Sequence, residues 1–542
     1  MRHMLKRFCV VKMKYFVIAV VVISVYMFIS YVALDVWIVK NNKNNLLSVE
    51  LPNVIVHIDL KGTPLKLTYL RTLLPVLKKH GVTGLLMEYE DMFPYHGKLK
   101  NLSAEYHYDK SELKRFISVA RSKGFEIIPL IQTFGHLEYA LKLEEFQHLR
   151  EIDVYPDSIC PSRMESNAFL IEMIDNLYFF QIVNLHATVG PLKYIHIGCD
   201  EVFHVNECQL SEVVKSLSPD TTVLIWDDML REIKPGEWND IEPFTNVHPV
   251  YWDYGSNLQI THHNLMKYHK KFPHIWLASA YKGADGKTAV FPDLKKRFLN
   301  HFSWMNLILG YTFGGENKIY NFKGIILTGW SRYSHMDPPC ELLPVSIPSL
   351  ILNLLVIQKF KSGISDVKDD DEEQNIEHMF KKHLNVGLSE SLKCNFNLDS
   401  FDFNLCEFDG KDLFSSLHEL TIVENDVNNY INSDKNSIQS IEFYSKLEFM
   451  NMNNVVENRA QLKINLDEIL QLEGKIDKEM SYYFDKDFVI EYINYKSFQL
   501  KTRIVNLMNI LDIYTRKRVW KRRSIRNQIF FPIEQLIATL EA

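Results

Sequence analysis

Tyr194-Ile195-His196-Ile197-Gly198-Cys199-Asp200-Glu201 is a short apolar run that stops at a glycine and ends on two adjacent carboxylates. With Lys193 in front, it predicts a strand over 193–198. Period-two alternation would put Tyr194, His196, Gly198 and Asp200 on one side, with Glu201 following where the strand breaks into its loop. Two neighbouring carboxyls repel each other's charge, and partial burial adds desolvation, so one member gains proton affinity. A Glu that stays protonated near neutral pH can act as a general acid. An isolated Asp-Glu pair, however, is most often a charge pair at a helix N-terminus. Its surroundings decide the matter.

Working outward, seven more apolar runs are spaced along the chain: 54–58, 84–89, 126–131, 222–226, 246–252, 274–279 and 323–330. Amphipathic stretches such as 64–80 and 110–124 separate them. Strands alternating with helices imply a parallel sheet, and eight such units predict an α/β fold, a (β/α)8 TIM barrel over residues 51–355. Active sites of such barrels lie at the C-terminal strand ends. Here those ends carry His57, Asp59 and Lys61; Glu88, Glu90 and Asp91; Gln132 and His136; Asp200 and Glu201. Beyond these stand Trp226, Asp227 and Asp228; Trp252, Asp253 and Tyr254; Tyr281 and Lys282; then Trp330, Arg332 and Tyr333. Carboxylates among tryptophans suit a sugar, whose C–H faces pack on indole while charged groups hold its hydroxyls. The same residue types also pack barrel cores, so the tryptophans, Tyr281 and His136 have a structural reading as well.

The 542 residues are 46% hydrophobic and 24% charged, with a net charge of −6, an ordinary globular balance that gives no basic face for nucleic acid. Tyr15 to Leu34 is uncharged and long enough to span a hydrocarbon core. Arg2, Lys6, Arg7, Lys12 and Lys14 precede it, so the positive-inside tendency predicts a type II anchor. The expected order is a cytosolic tail (1–14), a transmembrane signal anchor (15–38), a stalk (39–50) and the barrel. An acidic linker (356–409) and a helical C-terminal region (410–542), basic over 516–526, then follow. This places the barrel in the lumen of the secretory pathway, the Golgi among its compartments, or outside the cell. Cys9 would face the cytosol, leaving six of the seven cysteines able to pair in an oxidising lumen. Asn101-Leu102-Ser103 is the one glycosylation sequon. Nothing in the cysteine spacing supports a zinc site, and no metal or organic cofactor is implied.

His196-Ile197-Gly198-Cys199-Asp200-Glu201 resembles the H-x-G-G/C-D-E motif of glycoside hydrolase family 20, the β-N-acetylhexosaminidases, and within it the hexosaminidase D branch. The likeness runs from about Val54 to Leu350 and includes 57–62, 88–95, 132–136, 328–333 and 340–345. It implies an exo-acting enzyme that removes terminal GlcNAc or GalNAc with retention, the substrate's own 2-acetamido oxygen attacking to form an oxazolinium ion. Asp200 would orient the acetamido N–H, and Glu201 would serve as acid, then base. Trp226, Trp252 and Trp330 would wall the sugar, and Tyr281 would donate to the acetamido oxygen. His136 would support the acid or a hydroxyl, with His196, Tyr254, Arg332, Asp59, Glu88 and Glu90 completing the substrate site. Two positions depart from the family: Lys61 stands where an Arg is common, and Trp330-Ser331-Arg332 replaces a Trp-x-Glu. Hydroxyl recognition then falls to Glu88, Glu90 or Asp91. The expected partners are a glycan and, through the anchor, a membrane, with room for a homodimer. The competing readings are a carbohydrate-binding pseudoenzyme and a two-carboxylate retaining glycosidase with Glu88 or Asp228 as nucleophile.

Overall fold

The computed structural model describes residues 48–160, 163–174, 181–202, 221–240, 243–313, 322–363, 384–393, 406–433 and 450–520, with positions 438, 441 and 445. Among them, eight parallel strands close into a barrel. In chain order these are β1 (Asn53–Asp59), β2 (Gly84–Glu88), β3 (Glu126–Leu130), β6 (Tyr194–His196), β7 (Thr222–Trp226), β8 (Val247–Trp252), β9 (Ile275–Lys282) and β10 (Phe322–Gly329). Two short strands, β4 (Arg150–Ile152) and β5 (Tyr155–Ile159), form an antiparallel hairpin in the connection after β3. The ring closes where β1 pairs with both β2 and β10, with Asp59 beside Glu88 and Val56 beside Leu327.

Every predicted strand is present. The inward faces supply a packed interior of Ile55, Leu86, Ile128, Leu130, Leu224, Trp226, Val250, Trp276, Ala278 and Ile326. Burying side chains of this size stabilises by roughly 1.5–3 kcal/mol each, so the barrel is a filled core rather than a channel. The outer helices bury one stripe each. The helix Leu67–Lys79 buries Leu67, Leu70, Leu73, Leu74 and Leu77, the spacing of a single helical face. The next, Lys110–Ser122, begins at Asp109, whose carboxylate accepts the N–H groups of Ser111 (2.8 Å) and Glu112 (3.0 Å).

Two boundaries differ from expectation. β6 ends at His196 rather than at 198, because Gly198 and Cys199 both turn to φ 71°. Strand alternation therefore stops short of Asp200, and a turn aims that residue instead. At the far end of the barrel, the helix Ile347–Ser362 runs through the expected boundary at 355. Its buried residues extend from Ile347 to Phe360, so cutting it there would halve a packed element.

The chain divides into two compact units. The first holds the barrel and includes Ser481–Phe488. The second comprises 412–480 and the residues after 488. In it, Val455, Leu462, Ile469 and Ile476 recur every seven residues as buried positions along the helix Met452–Tyr483, a coiled-coil pattern. The expected anchor over Tyr15–Leu34 lies outside the described residues. Among those described, no helix is long and apolar enough to cross a membrane. Cys160 and Cys406 are disulfide-bonded, while Cys199 and Cys340 are buried free thiols.

Candidate active site

The turn after β6 packs against the loop after β3. Thr133 donates its hydroxyl to the Ile197 carbonyl at 2.7 Å, and Trp226 N–H reaches the Gly198 carbonyl at 2.9 Å. A Cβ at Gly198 would lie 1.9 Å from Gln132 Oε1, and one at Gly135 would lie 2.6 Å from the Asp200 carbonyl. Only glycine permits so close an approach. The flanking non-glycine residues His136 (φ 51°), Cys199 (φ 71°) and Glu201 (φ 45°) are also left-handed. Each such conformation costs about 1 kcal/mol or more and is held in place by the surrounding contacts.

This strained corner brings Asp200, Glu201 and His136 together. His136 Nε2 lies 3.5 Å from Asp200 Oδ2 and 3.4 Å from Glu201 Oε2. Asp200 is buried, and its Oδ1 has no hydrogen-bond partner among the described residues. Glu201 keeps 44% of its side chain exposed, and its N–H donates to Asp228 Oδ2 at 2.8 Å. The other oxygen of Asp228 accepts Trp252 Nε1 at 3.1 Å. Asp228 thus pins the backbone of one expected site residue and the indole of another.

The electrostatics correct the expected division of labour. Burial pushes the Asp200 carboxyl up to about 7, with His136 opposing and Asp228 and Glu88 adding to the rise. Glu201 moves the other way: the hydrogen bond from His136 lowers it, against a smaller effect of burial. Burial would lower His136, but the Asp200 charge and the Glu201 hydrogen bond bring it up to about 9. The two carboxyls do move apart, but through burial and His136 rather than through their adjacency, and the high proton affinity belongs to Asp200. The reason is placement: Glu201 is half in water beside a cation, and Asp200 is not.

Across the mouth, at the ends of β1 and β2, lies a closed charge cluster. Lys61 Nζ is 3.7 Å from Glu88 Oε1 and 3.5 Å from Glu90 Oε1, all three groups being buried. Glu88 also accepts from His57 Nε2 (2.9 Å) and Gln132 Nε2 (3.1 Å). Burial works against ionising Glu88, but the Lys61 charge and these hydrogen bonds outweigh it and hold the carboxyl at about 2. Burial lifts Glu90 well above the usual carboxylate range despite Lys61. Its Oε2 bonds His335 Nδ1 at 3.0 Å, while Oε1 makes no hydrogen bond among the described residues.

Several expected substrate ligands are engaged elsewhere. Asp59 accepts the N–H groups of Lys61 (2.9 Å) and Ser331 (2.7 Å), tying β1 to β10. Arg332 donates to the carbonyls of Lys61, Gly62 and Asp337, which makes it a clamp for the rim rather than a free cation. Tyr281, fully buried, gives its hydroxyl to the His57 carbonyl at 3.1 Å and so does not stand ready for an acetamido oxygen. His196 is buried, and burial brings it down to about 3, so it is a neutral ring packed 4.4 Å from Trp226. Trp226 is itself core at 1% exposure. Trp252 and Trp330 are half-buried at the rim. Trp252 stacks on Tyr254 at 5.1 Å, and Trp330 Nε1 donates to the Tyr254 hydroxyl at 3.1 Å. This aromatic wall stands next to Asp228. His335 and Glu138, absent from the sequence-based set, lie on the Glu90 side: His335 bonds Glu90 at 3.0 Å and Lys142 at 2.6 Å, and Ser334 donates to Glu138 at 2.9 Å. Glu138 opens the one-turn helix Glu138–Leu141 and His335 lies in an irregular loop, both too short for periodicity to mark.

No protein-family model matches the chain. It is 38% identical over 326 residues to hexosaminidase D of Bos taurus, a match spanning 55% of this chain and 90% of the bovine protein. Against hexosaminidase D of Homo sapiens it is 39% identical over 322 residues, or 55% of this chain and 63% of the human one. Among solved structures it is similar to a mutant Streptomyces plicatus β-hexosaminidase in complex with GlcNAc (TM-score 0.44, 14% identity, 63% of this chain and 69% of that one). A second is the Flavobacterium johnsoniae chitobiase (TM-score 0.42, 11% identity, 87% and 74%).

Proposed function

The chain belongs to the hexosaminidase D family of glycoside hydrolases, and on that premise we propose that it removes terminal, non-reducing GlcNAc or GalNAc with retention, by substrate assistance. One observation carries the reading: Asp200 Oδ1 is buried, unpaired and next to a half-exposed Glu201. A buried acceptor with no donor costs roughly 1–3 kcal/mol until one arrives, and the acetamido N–H is a donor of the right kind. Holding that N–H turns the acetamido oxygen toward the anomeric carbon. The nucleophile then arrives already positioned, an advantage of intramolecular attack. Asp200, ionised, also opposes the positive charge that develops on the oxazolinium ring.

Glu201 protonates the departing glycosidic oxygen and then takes a proton from the water that opens the ring. The sugar covering Glu201 removes it from water and raises its proton affinity, which shifts the shared proton from Asp200 to the acid. His136 positions both carboxylates. The carboxylates that could act as an enzyme nucleophile are occupied, Asp228 by two N–H donors and Glu88 by its closed cluster. This supports the substrate's acetamido group in that role. Trp252, Tyr254 and Trp330 would pack on the sugar, and Glu90, whose Oε1 is charge-paired with Lys61 at 3.5 Å but makes no hydrogen bond among the described residues, would serve a hydroxyl from the β2 side.

The disulfide-bonded Cys160 and Cys406 support an oxidising compartment, in keeping with a type II anchor over Tyr15–Leu34 and a lumenal barrel. Turnover of p-nitrophenyl β-N-acetylglucosaminide and galactosaminide tests the activity. Glu201→Gln should lower kcat by roughly 10²–10⁴-fold, the usual contribution of general acid catalysis. A thiazoline mimic of the oxazolinium should inhibit the wild type. Full activity in Glu201→Gln, or equal turnover of plain β-glucosides, would sink the reading.

A further inference from the structure

The connection between β2 and the helix Lys110–Ser122 holds a feature the hydrolase chemistry does not use. Asn101-Leu102-Ser103 has the acceptor pattern for N-linked glycosylation: an Asn, a non-proline residue and a hydroxyl. It ends the short 3-10 helix Gly97–Leu102, in a loop leaving the C-terminal end of β2. Leu99 and Leu102 are buried and pin this turn, while the Asn101 side chain is exposed. Ser103 is different. Its hydroxyl accepts the Tyr95 N–H at 2.9 Å and donates to the Phe93 carbonyl at 2.8 Å, so both of its roles are taken in the folded turn. The same loop returns to the active-site rim, where Ala104 N–H reaches the Asp91 carbonyl at 2.8 Å.

We infer that Asn101 carries an N-linked glycan, added to the nascent chain before the loop folds. The Asn101 Nδ2 displaces a lipid diphosphate from the anomeric carbon of a lipid-linked oligosaccharide. A C–N bond forms, the sugar–phosphate bond breaks, the diphosphate leaves with the electron pair, and the amide proton passes to base. No oxidant is needed, and the oligosaccharide donor and its transferase belong to the lumen of the secretory pathway. The Ser103 hydroxyl thus has two successive uses: it completes the acceptor while the chain is open, then satisfies the Tyr95 N–H once the turn closes. The glycan would stand on a loop of the catalytic face and bear on which bulky acceptors reach the mouth. This inference rests on the lumenal placement proposed above and is independent of the hydrolase mechanism.

The test uses the full chain made in cells with a secretory pathway, digested with a peptide-N-glycosidase and read by mobility. A companion carries an Asn-Gly-Thr acceptor appended after Ala542 as a reporter of location. The wild type should shift by one glycan, and Asn101→Gln should run at the digested position with its rate on the p-nitrophenyl substrate unchanged. Ser103→Thr should keep the glycan and the thermal midpoint. Ser103→Ala should lose the glycan and also melt below Asn101→Gln, because the Tyr95 N–H loses its partner. A glycosylated reporter with no shift of the native chain overturns the site. No shift in either chain overturns both the site and the lumenal placement, while hydrolase activity is scored separately on the same samples.

Discussion

At the ends of β1 and β2, Lys61, Glu88 and Glu90 are buried together and set their charges against one another, whereas at the ends of β3 and β6, Asp200 meets His136 and Glu201, both on left-handed backbone, and Glu201 is half-exposed. Both regions are acidic and both lie at the mouth. The difference is that the first is buried and charge-paired through Lys61, while the second keeps Glu201 open to what enters the mouth. A self-satisfied cluster contributes to the fold. A strained and incomplete one lowers stability in return for reactivity.

That contrast predicts which property each substitution moves. Lys61→Met removes the cation from buried carboxylates, and breaking a buried pair in this way costs roughly 3–5 kcal/mol. Chemical denaturation of the barrel should therefore show a large loss. Lys61→Met/Glu88→Gln together should recover part of it, since the residual repulsion falls. A double variant that is merely additive would dissolve the idea of a coupled cluster. Acid should act in the same place. Glu88 is held at about 2, so its stabilising contribution is complete above the ordinary Glu range and drains away as pH falls toward 2.

Asp200→Asn should do the reverse. Its carboxyl is pushed up by burial, so replacing it with a neutral isostere relieves a cost and leaves the melting temperature equal or higher. Catalysis should fall by roughly 10²–10³-fold in kcat, the scale of losing one preorganised electrostatic contact. Loss of stability without loss of rate would mean that the two regions had been assigned the wrong way round.

The pH profile sharpens the comparison further. The reacting form needs Asp200 ionised and Glu201 protonated, whereas the free site prefers the opposite placement of the same proton. The productive form is then a minority of the singly protonated pair, present between the low value of Glu201 and the value of about 7 for Asp200. The kcat/KM profile should accordingly be a bell whose upper limb falls near pH 7. His136→Asn removes a positive neighbour from both carboxyls, so both proton affinities rise and both limbs move to higher pH. A purely structural role for His136 would lower the rate and leave the limbs where they were.

The barrel was legible because each strand is a short, mainly apolar run, and such runs form a parallel sheet when helices alternate with them. The Asp200-Glu201 pair was legible because it follows such a run. What escaped was the partner of each polar side chain. Arg332 and Asp59 look like ligands in a string of residues, yet their partners include backbone groups 270 or more positions away, on the opposite side of the β1–β10 seam. Which of two adjacent carboxyls would hold the proton was equally hidden, since it depends on His136, brought in by a turn after β3. Left-handed backbone at Gly198 and Cys199 also shortened β6 in a way that alternation does not reveal.

Tyr281 offers the finest discrimination. Were its hydroxyl the donor to the acetamido oxygen, Tyr281→Phe would cost a contact made in the transition state, with a fall in kcat of the order seen for lost oxyanion donors, roughly 10²-fold. In the structure the hydroxyl instead donates to the His57 carbonyl, with the ring wedged so close to Gly329 that a Cβ there would lie 2.3 Å from the phenolic oxygen. Removing it leaves one buried carbonyl short of a neutral hydrogen bond, worth about 0.5–1.5 kcal/mol of stability. The expected variant melts slightly lower and keeps kcat/KM on the N-acetylhexosaminides within about threefold, since a 0.6 kcal/mol change in the barrier corresponds to that factor. If the rate falls a hundredfold while the melting temperature stays put, substrate must draw Tyr281 away from His57, and the contact that joins β9 to β1 across β10 must open during turnover.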